Sequence, residues 1–368
     1  MYTIEEIEKI PFVFIVARGR SGTTLLQNIL DSNKNIVLPI ESRLIIHLKQ
    51  KYFKIEKWTT EVIEEFIIDL YKDNKFNRYW NVSKERLAAT IEATPLEQIN
   101  FQLLCKIIYL QYPSPHPKNN ITLIGDKNPI YSLFISELRE VFPEAKFIHL
   151  IRDYRDNIVS NIKTFNFERL PVLAQGWLAY NKCIEQEKNK SPKLFYTLRY
   201  EDLASEPEKY VADLCSFLNI DYSVEMLNFR KKVKEEVISG LNENTKQEID
   251  AVHPNILKPI NTSQVNKWEG FFNDYQLDLI EYIAGNYGKK YKFHPSKEIS
   301  AKLSIKLAAT WGLIHQKFNF FVIRNYYKLP FYFRDFMRSV SLFLYKKFKY
   351  TNYFNNADFR FKGNPSEE

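Results

Sequence analysis

Residues 11–33 read PFVFIVARGRSGTTLLQNILDSN. The first seven form an unbroken apolar run rich in β-branched and aromatic side chains. Such a run needs burial on both faces, the environment of an interior strand in a parallel sheet. A tight turn follows, Arg18-Gly19-Arg20-Ser21-Gly22-Thr23-Thr24, and then a helix from residue 23 to about 32 with Leu25, Leu26, Ile29 and Leu30 on one face. A turn that opens a helix directly after a strand aims backbone N–H groups at one point, which suits an anion. The nucleoside-triphosphate version of this turn is GxxxxGK[ST]. Aligned on Gly22, its lysine position holds Thr23 and its first glycine falls on Ala17, while a cation, Arg20, stands inside the turn. The turn reads as a phosphate cradle lacking the lysine that reaches β- and γ-phosphates. An ordinary strand-to-helix turn with solvated arginines is the alternative.

Downstream, strands alternate with helices. Residues 121–124 form a short strand before Gly125-Asp126-Lys127-Asn128-Pro129, and a helix spans 131–142. A strand at 146–151 closes on Arg152, and a helix runs on to about 164. Residues 167–190 are helical, 193–199 a strand and 207–218 helical again. Residues 60–111 read as several helices, one opened by Pro95. The alternation predicts an α/β fold, with a P-loop-type central parallel sheet flanked by helices and an added helical C-terminal segment. Ligands of such sheets bind beyond the carboxyl ends of the strands. Residues 18–24, 126–129, Arg152 and Tyr200 therefore share one rim. The expected division is a catalytic α/β domain at 1–298, a basic aromatic helical extension at 299–350 and a tail at 351–368.

The chain has 368 residues, a net charge of +8, 45% hydrophobic and 15% aromatic residues, which is ample for a large core and excludes a disordered chain. Cys105, Cys183 and Cys215 lie too far apart for a disulfide framework or a zinc site, so a reducing compartment and no metal are expected. The opening MYTIEEIEKI has no signal-peptide character, and no uncharged apolar stretch reaches the ~18 residues of a transmembrane helix. A cytoplasmic location follows. The basic excess is concentrated: residues 299–350 hold ten Lys/Arg, a single acid (Asp335) and 14 of the 56 aromatic residues. Leu303, Leu307, Trp311, Ile314, Phe318 and Phe321 recur at helical spacing, Pro330 breaks the pattern, and Phe333, Phe336, Val340, Leu344 and Phe348 make a second stripe. Lys302, Lys306, Lys317, Arg324, Arg334, Arg338, Lys346 and Lys347 lie beside them. One reading packs both helices on the core with a solvated basic face. The other has them cover an apolar acceptor or lie on an anionic membrane surface, the latter placing the protein peripherally on the inner membrane. Aromatics at helical spacing, not displayed on a sheet, speak against nucleic acid. The sequence fixes no oligomeric state.

Four stretches in register resemble the 3′-phosphoadenosine 5′-phosphosulfate (PAPS)-dependent sulfotransferases. They are FIVARGRSGTTLLQNILDSN, ESR at 41–43, GDKNP with FIHLIRDYRDNIVSNI, and KPINTSQVNKW at 258–268. Their order and spacing are most similar to the protein-tyrosine sulfotransferase branch, over roughly residues 11–287. The resemblance implies PAPS as donor and PAP as product. It gives Arg20 contact with the transferring sulfonate and its bridging oxygen, and makes Ser21, Gly22, Thr23 and Thr24 the 5′-phosphate cradle. Arg152 and Ser160 become 3′-phosphate ligands, Tyr200 a nucleotide contact, Glu41 the general base, Arg43 an acceptor-positioning arginine and Lys127 a second catalytic cation. Lys267 falls in a late loop over the nucleotide. Asn266 stands where that branch has a serine, and Thr164 where it has an arginine, with Lys163 adjacent.

Such a transfer depends on positioning and on charge stabilisation at the leaving oxygen. The acceptor hydroxyl must lose a proton, and a carboxylate can take it. Glu41 is the first choice and His253 the alternative. His149, mid-strand, reads as a core residue. Asp153 and Asp156 read as structural acids at a helix N-terminus, and Glu201 and Asp202 as caps of the turn after Tyr200. The expected acceptor is a sterol- or lipid-like alcohol or a glycan, with tyrosine open. A P-loop kinase or NTPase, or a non-enzymatic membrane-recruited binding protein, are the alternatives.

Overall fold

A computed structural model of the protein describes residues 2–229, 260–299, 302–334 and 336–337. Five parallel strands form one sheet in the order β2-β3-β1-β4-β5, with β1 Phe12–Val16, β2 Ile36–Val37, β3 Leu123–Lys127, β4 Lys146–Ile151 and β5 Phe195–Arg199. The helices that matter for the site are, in chain order, α1 Thr23–Asp31, α2 Leu44–Tyr52, α3 Asn74–Tyr79, α4 Phe101–Leu110, α5 Tyr154–Phe165, α6 Leu170–Lys190, α7 Tyr200–Ser205, α8 Asp274–Gly288 and α9 Leu303–Tyr326. Strand β1 is central and fully buried. Its side chains alternate between two cores, as pleating requires. Phe12, Phe14 and Val16 join the cluster containing Trp80, Tyr109 and Tyr131, while Val13, Ile15 and Ala17 join the one containing Leu26, Ile29 and Leu198. A third cluster centres on Tyr154 and Trp177 and takes in helix α8.

The expected α/β architecture is present, with several boundaries moved. The third strand does not stop at residue 124 but runs to Lys127, because it pairs along both edges: Phe12–Ile15 on one side and Ile36–Val37 on the other. The single helix expected at 131–142 is a 3₁₀ turn, Pro129–Leu133, followed by a helix, Ile135–Val141. The Asn128 side chain caps the turn at Ile130 N–H, and Ser132 Oγ donates to Ala17 O at 3.1 Å, which ties it to the end of β1. Helix α6 starts at residue 170, not 167, since Asn166 is left-handed and ends α5 there.

The C-terminal segment differs most from expectation. Helix α9 packs against α6 and α8, but through Ile305, Ala309, Gly312 and Gln316. A Cβ at Gly312 would lie 2.7 Å from Pro171, so the backbones touch where larger side chains would hold them apart. Of the two readings of the apolar stripe, the one that packs it on the core fails: Leu303, Leu307, Trp311, Ile314, Phe318 and Phe321 are all exposed. Phe333 and Phe336 are exposed too, while Val340, Leu344, Phe348, Arg338, Lys346 and Lys347 lie outside the described residues. Tyr327 and Phe331 then return to the main core.

Candidate functional site

The sheet order places the loop after β1 between the ends of β3 and β4, so Lys127 and Arg152 flank it. Gly22, at φ 94° and ψ 13°, turns the chain into α1, whose N-terminus no side chain caps. An uncapped helix start on a glycine turn leaves donors for an anion. Ser21 Oγ donates to Arg18 O at 2.7 Å, and Asn157 Nδ2 donates to Gly19 O at 2.9 Å, so helix α5 braces the loop. Arg20 sits at φ 73°, a conformation that a non-glycine residue holds only when its surroundings impose it.

On the β4 side, Arg20 Nε donates to Ser160 Oγ at 3.2 Å and Arg152 Nη1 donates to Arg20 O at 3.2 Å. The Arg152 guanidinium lies 4.6 Å over the Tyr200 ring, and its Nε is buried without a hydrogen-bond partner. Burial, with the Arg152 charge adding to it, lowers the Arg20 guanidinium to about 10. Two crowded guanidinium groups, a hydroxyl and an aromatic face thus converge where an anion would relieve the repulsion. The late loop is fastened there as well. Asp156 accepts from Asn266 N–H at 2.8 Å and from Trp268 N–H at 3.0 Å, and Trp268 stacks 3.9 Å over the Arg155 guanidinium.

On the β3 side, Glu41 Oε2 lies 3.5 Å from Lys75 Nζ and 3.9 Å from Lys127 Nζ, while Lys127 Nζ is 3.5 Å from Thr24 Oγ1 on α1. The backbone carrying Glu41 is clamped on both flanks. Gln27 Nε2 donates to Pro39 O at 2.9 Å, Trp80 Nε1 to Ile40 O at 2.7 Å and Asn128 Nδ2 to Ser42 O at 3.1 Å. Arg43 is buried, with Nη1 at 3.3 Å from Tyr327 Oη. Asp126, behind Lys127, receives the Tyr109 hydroxyl, and burial raises its carboxyl to about 7.

A family profile described as "Sulfotransferase family" matches residues 11–224, more than half of the chain and the whole of this rim up to β5. The chain belongs to the sulfotransferase family. It is 24% identical over 274 residues to protein-tyrosine sulfotransferase 1 of Danio rerio, covering 71% of this chain and 66% of that one. It is 25% identical over 249 residues to the omega-hydroxy-beta-dihydromenaquinone-9 sulfotransferase of Mycobacterium bovis, covering 57% and 63%. The sulfotransferase domain from the curacin biosynthetic pathway superposes with a TM-score of 0.47 at 21% identity, over 76% of this chain and 97% of that one. The chain spans between about half and two-thirds of the length of the curated relatives it matches.

The structure gathers Arg20, Ser21, Gly22, Arg152, Ser160 and Tyr200 on one flank of the loop, and Thr24, Lys127, Glu41 and Arg43 on the other. Arg20, expected beside Lys127 at the leaving oxygen, is turned toward Ser160. Thr23 is buried at the start of α1. Asn266 and Lys267 are exposed, and only the Asn266 backbone is tied to the rim. His253 and Lys258 lie outside the described residues. His149 is fully buried, its Nε2 2.9 Å from Asn181 Oδ1, as a core residue should be. Asp153 caps α5 as expected. Glu201 also reaches beyond its own turn: it accepts from Asp153 N–H at 2.9 Å and bridges the ends of β4 and β5. Asn157, Trp80, Lys75, Gln27 and Tyr327 were not singled out from sequence. Asn157, three residues before Ser160 in the third motif, and Gln27, four residues after Thr23 in the first, carried a local signal. No group of three or more His, Cys, Asp or Glu suited to a metal gathers among the described residues.

Proposed function

We propose that the protein transfers a sulfonate group from PAPS to an acceptor hydroxyl. The observation that carries this reading is the uncapped glycine turn of α1 set between two cationic flanks, Arg20/Arg152 with Ser160 and Tyr200 on one side, Lys127 with Glu41 on the other. The orphaned Arg152 Nε and the uncapped helix start both fit an anionic ligand with two separated phosphate ends. Arg152 and Ser160 hold the 3′-phosphate, residues 21–24 cradle the 5′-phosphate, and Tyr200, Asn266 and Lys267 line the nucleotide. Glu41 takes the acceptor proton as the acceptor oxygen bonds to sulfur. The bond from sulfur to the 5′-phosphate oxygen breaks, and Lys127 meets the charge left on PAP, joined by Arg20 once its side chain leaves Ser160 for the sulfonate. Preorganised donors of this kind each contribute on the order of 10²–10³ in rate. Rigid backing of Glu41 by Gln27, Trp80 and Asn128 serves the same end.

For the acceptor we favour an apolar alcohol of the sterol or lipid class over a glycan or a tyrosine. Arg43 reaches the extension at Tyr327, directly after a helix with an apolar outer face. The mycobacterial relative is itself named for a lipid-like quinone acceptor. We take residues 1–298 as the catalytic domain and 299–350 as the extension that brings it to the inner membrane surface from the cytoplasm, in keeping with three free cysteines. The test is incubation of the full chain with ³⁵S-labelled PAPS and a lipid, glycan and peptide mixture. One labelled product with release of PAP is expected, and Arg152→Ala should abolish it. Magnesium-dependent ATP turnover without PAP binding would overturn the reading.

A further inference from the structure

Helix α9 is apolar on two opposite sides. The inner side, Ile305, Ala309, Gly312 and Gln316, is filled by α6 and α8. On the outer side Leu303, Leu307, Trp311, Ile314, Phe318 and Phe321 are 47–71% exposed. At ~100° per residue those six fall within an arc of about 80°, nearly opposite the buried face, and extend ~27 Å along the axis. Large exposed apolar side chains are concentrated here: ten of the fifteen in the described residues belong to 303–336. Contiguous patches of this size mark an interaction surface, whereas scattered single residues do not.

Charge selects the occupant. Between residues 302 and 334 the sequence has six cations and no carboxylate. Five of the six, Lys302, Lys306, Lys317, Arg324 and Lys328, are exposed. By the same helical geometry Lys306, Lys317 and Arg324 run along one border of the apolar arc, roughly 40–60° from its edge. An apolar stripe containing Trp, Phe and Leu, bordered by Lys and Arg and free of acids, matches a helix lying in the plane of a membrane interface. No described helix is long and apolar enough to cross the bilayer.

We propose that the outer face of α9 is a docking surface for an anionic phospholipid bilayer, with the helix axis in the membrane plane and the flanking cations on the headgroups. This deepens the membrane contact inferred above and rests on that reading, but it does not depend on the sulfotransfer chemistry. One consequence concerns the site. Tyr327, the residue after the helix, touches Arg43, so docking brings the acceptor side of the rim to within about two helical turns of Phe321, the last residue of the bilayer-facing stripe.

The experiment is flotation of the full chain with phosphatidylcholine vesicles containing 30% phosphatidylglycerol, and with phosphatidylcholine alone. Wild type binds the anionic vesicles, more weakly as salt rises. The triple variant Leu307→Ser, Ile314→Ser, Phe318→Ser alters only exposed side chains and should lose vesicle affinity by about 10²-fold. Lys306→Gln with Lys317→Gln should lose roughly 30-fold on anionic vesicles alone. PAP binding is measured on the same samples and stays at the wild-type value. If PAP binding is absent throughout while vesicle binding follows this pattern, the proposed chemistry fails and the docking surface stands. Equal vesicle binding by the triple variant and wild type, or no binding by wild type, overturns the proposal. So does a wild-type dimer that the triple variant dissolves, or a crosslink from position 314 to residues 338–368 in a protein that ignores vesicles.

Discussion

Gly22→Ala tests the geometry of the loop most directly. The residue is left-handed at φ 94°, a conformation that costs an alanine about 1–2 kcal/mol. A methyl group there would also sit 2.5 Å from Tyr200 Cδ2 and 2.8 Å from Cε2. Ordinary carbon contacts lie near ~3.5 Å, so the ring must retreat by about 1 Å. It is hemmed in, because the Arg152 guanidinium covers it at 4.6 Å. Overpacking of this kind costs a further ~1–3 kcal/mol. The sum, about 2–5 kcal/mol, corresponds to a fall in Tm of roughly 3–6 °C for a chain of this length. Gly270 supplies the control. It is also left-handed, at φ 70°, but an added Cβ meets nothing within 4 Å, so Gly270→Ala carries only the backbone cost. Urea unfolding of the two variants, each with and without Tyr200→Ala, isolates the ring clash: Tyr200→Ala should bring Gly22→Ala down to the Gly270→Ala level. PAP titration should show at least a tenfold loss for Gly22→Ala and none for Gly270→Ala. Equal destabilisation by the two glycine variants, with PAP affinity unchanged, would refute the reasoning.

Three further outcomes are expected. Asp156→Ala removes the acceptor of two loop N–H groups, so amide exchange at Asn266 and Trp268 should accelerate and PAP affinity fall by ~10–100-fold, two hydrogen bonds to a charged group being lost; unchanged exchange would detach that loop from the rim. Glu41→Gln should slow transfer by about 10²–10⁴ and leave PAP affinity within twofold, whereas a matching loss of PAP binding would make the residue structural. His149 is held down to about 4 by burial, so between pH ~6.5 and ~4 the unfolded chain takes up a proton that the folded chain refuses, and stability falls with pH across that window. The share due to His149 is about 2 kcal/mol between pH 7 and pH 5, and His149→Gln should flatten the urea-unfolding profile by that amount; an unaltered slope would place the titration elsewhere.

Local signals were enough for much of this protein. The run 11–17, its glycine turn and the helix after it appear where hydrophobic pattern and turn chemistry put them, and the strand at 146–151 and the helix at 207–218 match to the residue. Each is specified by side chains within a dozen residues of one another. The extension shows where that kind of information ends. Periodicity located α9 but left open whether its apolar stripe faced the core or the outside, because a pattern of large apolar residues reports amphipathicity and not the partner. Apart from Ile305, the packed face is made of Ala309, Gly312 and Gln316, small or polar residues that carry little hydrophobic signal yet let α6 approach to backbone contact. Lys75 beside Glu41, Trp80 on Ile40 and Tyr327 on Arg43 are likewise products of the assembled chain, joining positions up to 284 residues apart. Sequence alone located most of the strands and helices and the glycine turn proposed to cradle an anion. Tertiary packing alone decided which side chains surround that turn, since proximity across the sheet depends on how the elements stack and not on their own composition.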